Sequence, residues 1–163
     1  MNDEYLKAIG RVTVNKQFLE HLLKSNYSLI SGADFYERFD SPTKTFYSFL
    51  TTLKEIVEKS YNEHVDIKNK LLDLFDKSIE VNRKRNDIIH SFWFVNVEDP
   101  SKPMSKLTFG AKYKDTELNK ILGGEFQDFP VEKVHEVADE IKKVAYEWFE
   151  LLPKLIDIST KHK

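Results

Sequence analysis

Three side chains in residues 85–90 could together bind an anion and move a proton. Arg85 offers a permanently charged planar fork that suits phosphate oxygens, and the imidazole of His90, with a reference pKa of about 6.5, can act as acid or base. Asn86 and His90 are four residues apart and therefore share one face of a helix, where the long side chain of Arg85 could join them. The spacing predicts a cation, an amide and a titratable imidazole at one helix end.

The element that carries this segment is the longest predicted helix. Its apolar residues recur at steps of three and four from Asp66 to Phe92, over more than seven turns at roughly 3.6 residues per turn. Arg85 falls inside the apolar stripe with Ser78 and Asn82, which is costly unless the arginine is paired or faces a cleft or an interface. The opposite side of the helix carries acidic and basic side chains in alternation, which predicts a face in contact with solvent. These residues are Asp73, Asp76, Lys77, Glu80, Lys84 and Asp87.

Three further amphipathic helices and two short strands are predicted. The helices run from Tyr5 to Ile30 with Gly32 as the stop, from Ser41–Pro42 to about Tyr61–Asn62, and from Val131 to Leu152, where Pro153 should end or kink the helix. The strands are Trp93–Val97 and Lys106–Tyr113 around the loop Asp99–Pro103, and a loop holding Gly123–Gly124 follows. We therefore expect an all-α bundle of four to five helices, with a small β-hairpin inserted before the last long helix, as a single domain over residues 1–163.

Composition limits the classes of function. The 163 residues are 40% apolar and suit one globular domain. With 25 basic and 27 acidic side chains the net charge is -2, so nucleic-acid binding requires a local basic patch. The absence of cysteine excludes a disulfide framework, a thiolate nucleophile and a zinc site built on sulfur. The acidic N-terminus and the lack of an apolar run of about 18 residues predict a cytoplasmic protein that does not enter a membrane.

The segment Arg85-Asn86-Asp87-Ile88-Ile89-His90 resembles the Arg-x4-His motif of the HEPN superfamily, the higher eukaryotes and prokaryotes nucleotide-binding domains. In that motif a polar residue, often Asn, commonly follows the arginine, and the motif lies late in a long helix of a bundle. The resemblance in order and architecture covers much of the chain, but the specific motif is six residues. It implies a HEPN-like domain, a metal-independent endoribonuclease of the toxin or antiphage type without a cofactor, and a homodimer with a composite site.

The implied chemistry suits these residues. RNA cleavage by attack of its own 2′-hydroxyl needs a base, an acid and positive charge for the phosphorane. The resemblance implies that Arg85 and His90 are catalytic and that Asn86 positions them. One His90 per chain cannot easily be both base and acid, so a two-fold dimer would supply the pair. The residues expected to bind RNA are Arg83, Lys84 and Trp93, whose ring could stack on a base; an antitoxin or regulatory protein is a further expected partner.

Structural roles for the same residues stay open. Arg85 could bridge to a carboxylate such as Glu20, His90 could be a helix-end histidine favoured by the C-terminal dipole, and Trp93 could be core packing. The chain would then be a non-catalytic HEPN-like module for nucleotide or protein binding or dimerisation, or an unrelated four-helix adaptor.

Other residues give weaker signals. Phe92 stands where the HEPN branch paired with minimal nucleotidyltransferase antitoxins has a modified tyrosine, so silencing by that route is not expected here. The remaining histidines lack a His-x3-His pair and predict no metal site; they are His21, His64, His135 and His162. The stripe of Trp148, Phe149 and Leu152 predicts core or a dimer interface.

Overall fold

The fold is all-α, a helical bundle, as the hydrophobic periodicity predicts. The computed structural model describes residues 3–31, 45–95, 99, 102–108 and 125–161. These ranges contain four helices: α1 Asp3–Ser31, α2 Phe46–Ser60, α3 Val65–Ile89 and α4 Val131–Lys161. In the described ranges, no helix combines the length and the apolar character that crossing a membrane requires.

The N-terminus of α2 is set by Thr45. Its backbone is extended, and its hydroxyl accepts a hydrogen bond from the Ser48 N–H at 3.2 Å, which satisfies one of the free donors of the first turn. The predicted cap at Ser41–Pro42 and the predicted stop at Gly32 lie outside the described residues. The other end of α2 is Ser60, close to the predicted Tyr61–Asn62.

The prediction that the third helix includes Phe92 is wrong. Helix α3 ends at Ile89, and Phe92 begins the first strand, β1 Phe92–Phe94. Side chains that follow the helix take up carbonyls of its last turn: the Ser91 hydroxyl donates to the Asp87 carbonyl, and the Trp93 indole N–H donates to the Ile88 carbonyl at 3.1 Å. With these acceptors satisfied, the backbone can leave the helix and enter the sheet.

The expectation was that Pro153 ends or kinks the last helix. It does not end it, because α4 continues through Pro153 to Lys161. A kink at Pro153 stays a prediction. Proline has no N–H, so the Phe149 carbonyl, four residues before Pro153, loses its helical hydrogen bond. Both residues are exposed, so water can reach that carbonyl. Leu151 and Leu155 are both buried on the other side of the helix. Their burial on either side of Pro153 stabilises a continuous helix despite the missing bond.

The insertion before α4 is a small antiparallel sheet of three strands rather than a hairpin of two. Strand β2 Ser105–Thr108 lies in the centre, with β1 on one side and β3 Glu125–Asp128 on the other. Trp93 is opposite Lys106, and Lys106 is opposite Gln127. The first two strands confirm the predicted hairpin, whereas β3 was not predicted. The remainder of the predicted strands, Val97 and 109–113, lies outside the described residues.

The chain forms two compact units. The first is built from Met1–Thr13 and Arg83–Asp139, and the second from Val14–Asn82 and Glu140–Lys163. The first unit holds the sheet, the start of α1, the end of α3 and the start of α4. The second holds α2 and the rest of the three long helices. A single domain over residues 1–163 stays a prediction.

The first unit is organised around Tyr5 of α1. Its hydroxyl donates to the Phe129 carbonyl at 2.7 Å and accepts from the Met104 N–H at 3.0 Å. Both partners lie beside the sheet, one after β3 and one before β2. A single buried side chain therefore fixes the N-terminal turns of α1 to the sheet.

The core of the second unit contains a polar link between two helices. Trp148 of α4 is fully buried, packs against Phe75 of α3 with ring centroids 5.1 Å apart, and donates its indole N–H to the Ser78 hydroxyl at 3.0 Å. The Ser78 hydroxyl in turn donates to the Leu74 carbonyl at 2.7 Å. Ser78 thus belongs to the apolar stripe because its hydroxyl is satisfied there. The remaining large core side chains include Leu19, Leu23, Tyr27, Leu50, Leu53, Leu71, Ile141 and Leu155.

Asn26 of α1 should lower the stability of the second unit. Its side chain is 0% exposed, and within the described ranges neither its amide nitrogen nor its amide oxygen has a hydrogen-bond partner. Because burial of an unsatisfied amide costs about 1–3 kcal/mol, Asn26→Leu, of similar volume, should raise the free energy of unfolding by about that amount in urea denaturation. The control Asn69→Leu at an exposed site of α3 should change it by less than about 0.5 kcal/mol. A loss of stability in Asn26→Leu would show that the amide is satisfied in solution.

Candidate functional site

The three predicted site residues lie at the C-terminal end of α3. Arg85 and Asn86 belong to the last two turns, and His90 follows Ile89, the last helical residue. The His90 N–H donates to the Asn86 carbonyl at 3.0 Å, which sets these two residues one turn apart, as their spacing predicts. The structure thus brings the cation, the amide and the imidazole to one helix end.

Arg85 is half-buried, and its charge is held by an amide rather than by a carboxylate. Its Nη1 donates to Asn86 Oδ1 at 2.9 Å, and its Nε is buried without a hydrogen-bond partner. Among the residues that the structure describes, no carboxylate forms an ion pair with Arg85. An amide oxygen orients the guanidinium but leaves its charge unneutralised.

Glu20, the carboxylate named in the structural alternative, has partners on its own helix. It pairs with Lys16, and with Lys24 at 3.6 Å, both on α1 itself.

His90 is exposed. Its backbone bonds to Asn86, while its imidazole forms no hydrogen bond with any part of the chain that the structure describes. The placement directly after the helix also fits the helix-end role that the sequence left open. An exposed imidazole one turn from the Asn86 amide is accessible to a ligand at this helix end and can transfer protons.

Two more cations precede Arg85 in the sequence. Arg83 is exposed and Lys84 is half-buried, and each also interacts with other groups of the chain. Successive helical residues point about 100° apart, so the three cations spread around the end of α3 instead of forming one row. They make this helix end locally basic in a chain of net charge -2.

The side chain of Asp87, predicted on the solvated face, is 43% exposed and also forms an ion pair. Its Oδ2 accepts from the ammonium of Lys106, a residue of β2 that is 4% exposed. The same ammonium lies 4.5 Å from the centroid of the Phe129 ring. Lys106 thus ties the end of α3 to the centre of the sheet, a role that neither its charge nor its position in the sequence indicates.

Trp93 is packed within the first unit. Its ring makes edge-to-face contacts with Tyr5 and Phe129, each at 5.8 Å between centroids, and its indole N–H donates to the Ile88 carbonyl. This is the packing role that the sequence left open beside base stacking. The three rings and the hydrogen bond support the helix end that carries His90.

A second polar cluster in the first unit was missed by sequence reasoning. Arg11 of α1 lies between two residues of α4, with Nη1 at 2.7 Å from His135 Nδ1 and Nη2 donating to Asp139 Oδ1 at 2.6 Å. Because guanidinium can only donate, His135 Nδ1 is the acceptor and its proton is on Nε2. The i, i+4 spacing of His135 and Asp139 was the one available signal. Beside it on α1, a hydrogen bond from Lys7 lowers the pKa of Glu4.

The structure describes no group of three His, Asp or Glu side chains that could hold a metal ion within its described ranges. Three surface clefts of about 390, 360 and 450 Å³ are lined by residues of the second unit and not by the residues at the end of α3. Compared with known proteins, the chain matches no family model, no curated protein and no solved structure.

Trp93 provides a test of the support of this helix end. Trp93→Ala removes two ring contacts and one hydrogen bond from a partly buried position, so we expect the free energy of unfolding to fall by about 3 kcal/mol in urea denaturation. Phe94→Ala, one residue along the strand on its exposed side, should cost less than about 1 kcal/mol. Equal small losses in both variants would show that Trp93 does not anchor the helix.

Proposed function

We propose that this chain is a HEPN-type endoribonuclease that cleaves RNA without a metal ion, using Arg85, Asn86 and His90. The observation that carries the proposal is the state of Arg85: a half-buried guanidinium, oriented by Asn86, with no carboxylate partner in the described chain and an exposed imidazole one turn away. Such a guanidinium suits an anion that the described chain does not supply, and attack of a 2′-hydroxyl on a phosphodiester needs proton transfers that an imidazole can perform.

Each residue has a defined part in the proposed reaction. His90 of one chain removes the proton of the 2′-hydroxyl, whose oxygen attacks the adjacent phosphorus and forms a cyclic phosphate as the bond to the 5′-oxygen breaks. His90 of a second chain protonates that leaving oxygen, which makes the site composite. Arg85 stabilises the charge of the phosphorane, and Asn86 holds the guanidinium in place.

The surrounding residues fit this proposal in different ways. Arg83 and Lys84 would attract the RNA backbone, since phosphate contacts by basic residues supply most of the non-specific affinity. Trp93 would act by fixing the end of α3 through the Ile88 carbonyl rather than by stacking on a base. A toxin or antiphage role, a cytoplasmic location and an antitoxin partner belong to the proposal through the resemblance of the motif.

The test is cleavage of a labelled pool of cellular RNA by purified protein in the presence of chelator. The wild-type chain should give products with 2′,3′-cyclic phosphate ends, and His90→Ala should abolish cleavage while the protein stays folded, since the side chain is exposed. His21→Ala removes another exposed imidazole, from α1, and should cleave like the wild type.

Each other outcome contradicts a part of the proposal. Cleavage that persists in His90→Ala would remove His90 from the site, and unfolding of that variant would favour the structural role of a helix-end histidine. A folded wild-type protein that binds RNA without cleaving it would favour the non-catalytic binding module.

A further inference from the structure

Asp87 lies beside His90 on the last turn of α3. It is three residues before His90, and the hydrogen bond from the His90 N–H to the Asn86 carbonyl continues the helical turn through this position. Residues three apart on a helix are surface neighbours, with roughly 5–6 Å between their Cβ atoms. In the sequence, Asp87 is the single acidic residue in 81–97, and it follows three successive cations at 83–85. One carboxylate is therefore placed among the charges that the proposed reaction uses.

An uncompensated carboxylate at this position would oppose the proposed reaction. An opposite charge within about 4–6 Å stabilises the protonated imidazole, and a protonated imidazole cannot take the proton of a 2′-hydroxyl. A negative charge would also repel the phosphate that Arg85 is proposed to bind. The site therefore needs a positive charge that holds this carboxylate.

The sheet supplies such a positive charge through Lys106 of β2. Its ammonium pairs with Asp87 Oδ2, lies 4.5 Å from the centroid of the Phe129 ring, and belongs to a side chain that is 5% exposed. An ammonium that is removed from water keeps one position, and salt screens its charge less than the charge of a mobile surface lysine. The compensation of Asp87 is therefore built into the fold.

A buried ammonium is a costly means of attaching α3 to the sheet. Replacing a buried ion pair by apolar side chains of similar volume commonly leaves stability unchanged or raises it. Two other hydrogen bonds already hold the end of α3, one from the Ser91 hydroxyl to the Asp87 carbonyl and one from the Trp93 indole N–H to the Ile88 carbonyl. Attachment alone does not account for a charged side chain at this position of the strand.

We propose that Lys106 is a positioning residue of the candidate site, and that its charge cancels the charge of Asp87 next to His90. The imidazole is then left to exchange a proton with RNA, and the phosphate meets Arg85 without an opposing carboxylate. Lys106 acts through Asp87 and does not touch the substrate. The inference deepens the proposed function and rests on it for the use of His90, but the effect of the ion pair on the imidazole is measured without RNA.

The experiment is an NMR titration of His90 in the full chain, with its imidazole signals assigned among the five histidines by their loss in His90→Ala. Lys106→Met removes the ammonium and leaves the Asp87 carboxylate uncompensated. His90 should then take up its proton about 0.5 pH unit higher than in the wild type. Methionine keeps an apolar chain against the Phe129 ring, and water can reach the 43% exposed Asp87 side chain, so circular dichroism should show a folded protein.

A double variant separates the charge of Lys106 from its role as a link. Lys106→Met/Asp87→Asn lacks the ion pair but carries no uncompensated charge, so His90 should titrate within about 0.2 pH unit of the wild type. If Lys106 acted only as a link between the sheet and α3, the double variant would behave like Lys106→Met. The control Lys133→Met removes an exposed ammonium that lies 5.7 Å from the centroid of the same Phe129 ring, and it should leave the titration of His90 unchanged.

RNA cleavage by the same proteins provides the second measurement. In Lys106→Met the rising limb of the pH–rate profile should move up by about 0.5 pH unit, which slows cleavage about three-fold on the acidic side and little at high pH. The double variant should recover the wild-type profile. A loss of rate that is equal at every pH would make Lys106 a structural residue and contradict the proposed role.

The two proposals fail in different ways. If His90 titrates alike in the wild type and in Lys106→Met, or if the double variant does not restore the titration, the inference is overturned even if RNA is cleaved. The expected shifts in a folded protein that leaves the RNA pool uncut would support the charge compensation and contradict the nuclease.

Discussion

The candidate site is supported by an ion pair between the buried Lys106 ammonium and the partly exposed Asp87 carboxylate. The Lys106 side chain starts on the central strand of the sheet, is almost entirely removed from solvent, and meets both the Asp87 carboxylate and the face of the Phe129 ring. A buried ammonium is strongly disfavoured unless it is paired, so the sheet and the end of α3 are held in one arrangement. The hydrogen bond from the Trp93 indole N–H to the Ile88 carbonyl also holds the end of α3 against the sheet. A helix end fixed in this way can present a guanidinium and an imidazole in a constant geometry.

Lys106 and Arg85 are both removed in part from solvent, but they differ in what balances their charge. The ammonium of Lys106 pairs with the Asp87 carboxylate and lies over the Phe129 ring, so its charge is neutralised within the fold. Among the described residues, Arg85 bonds only to the amide oxygen of Asn86, and its buried Nε has no hydrogen-bond partner there. Such an arrangement lowers stability, and proteins commonly tolerate a loss of this kind at functional sites. An incoming phosphate would supply the charge that the described chain leaves out.

The helices and the motif were predictable because their signals are local. Apolar residues three and four apart define α1, α3 and α4, and the four-residue spacing of Asn86 and His90 predicts their separation by one turn. The features that the sequence does not predict join distant segments. Strand β3 has only four residues and becomes a strand by pairing with β2, and Lys106 meets Asp87 across 19 positions. A helix end at Pro153 was expected because proline removes a helical hydrogen bond. The helix continues because Leu151 and Leu155, on both sides of Pro153, are buried, and their burial outweighs the lost bond.

We propose that Arg85 serves an incoming anion and not the fold. The most direct measurement compares the unfolding free energy and the metal-free RNA cleavage rate of Arg85→Met with those of the wild type. Arg85→Met should cleave RNA about 100-fold or more slowly than the wild type, because the transition state loses a stabilising charge. Its free energy of unfolding should stay within about 1 kcal/mol of the wild type, because the variant also removes a buried Nε that has no partner in the described chain. A loss of about 3 kcal/mol in stability, with the rate per folded molecule unchanged, would contradict it and make Arg85 a structural residue.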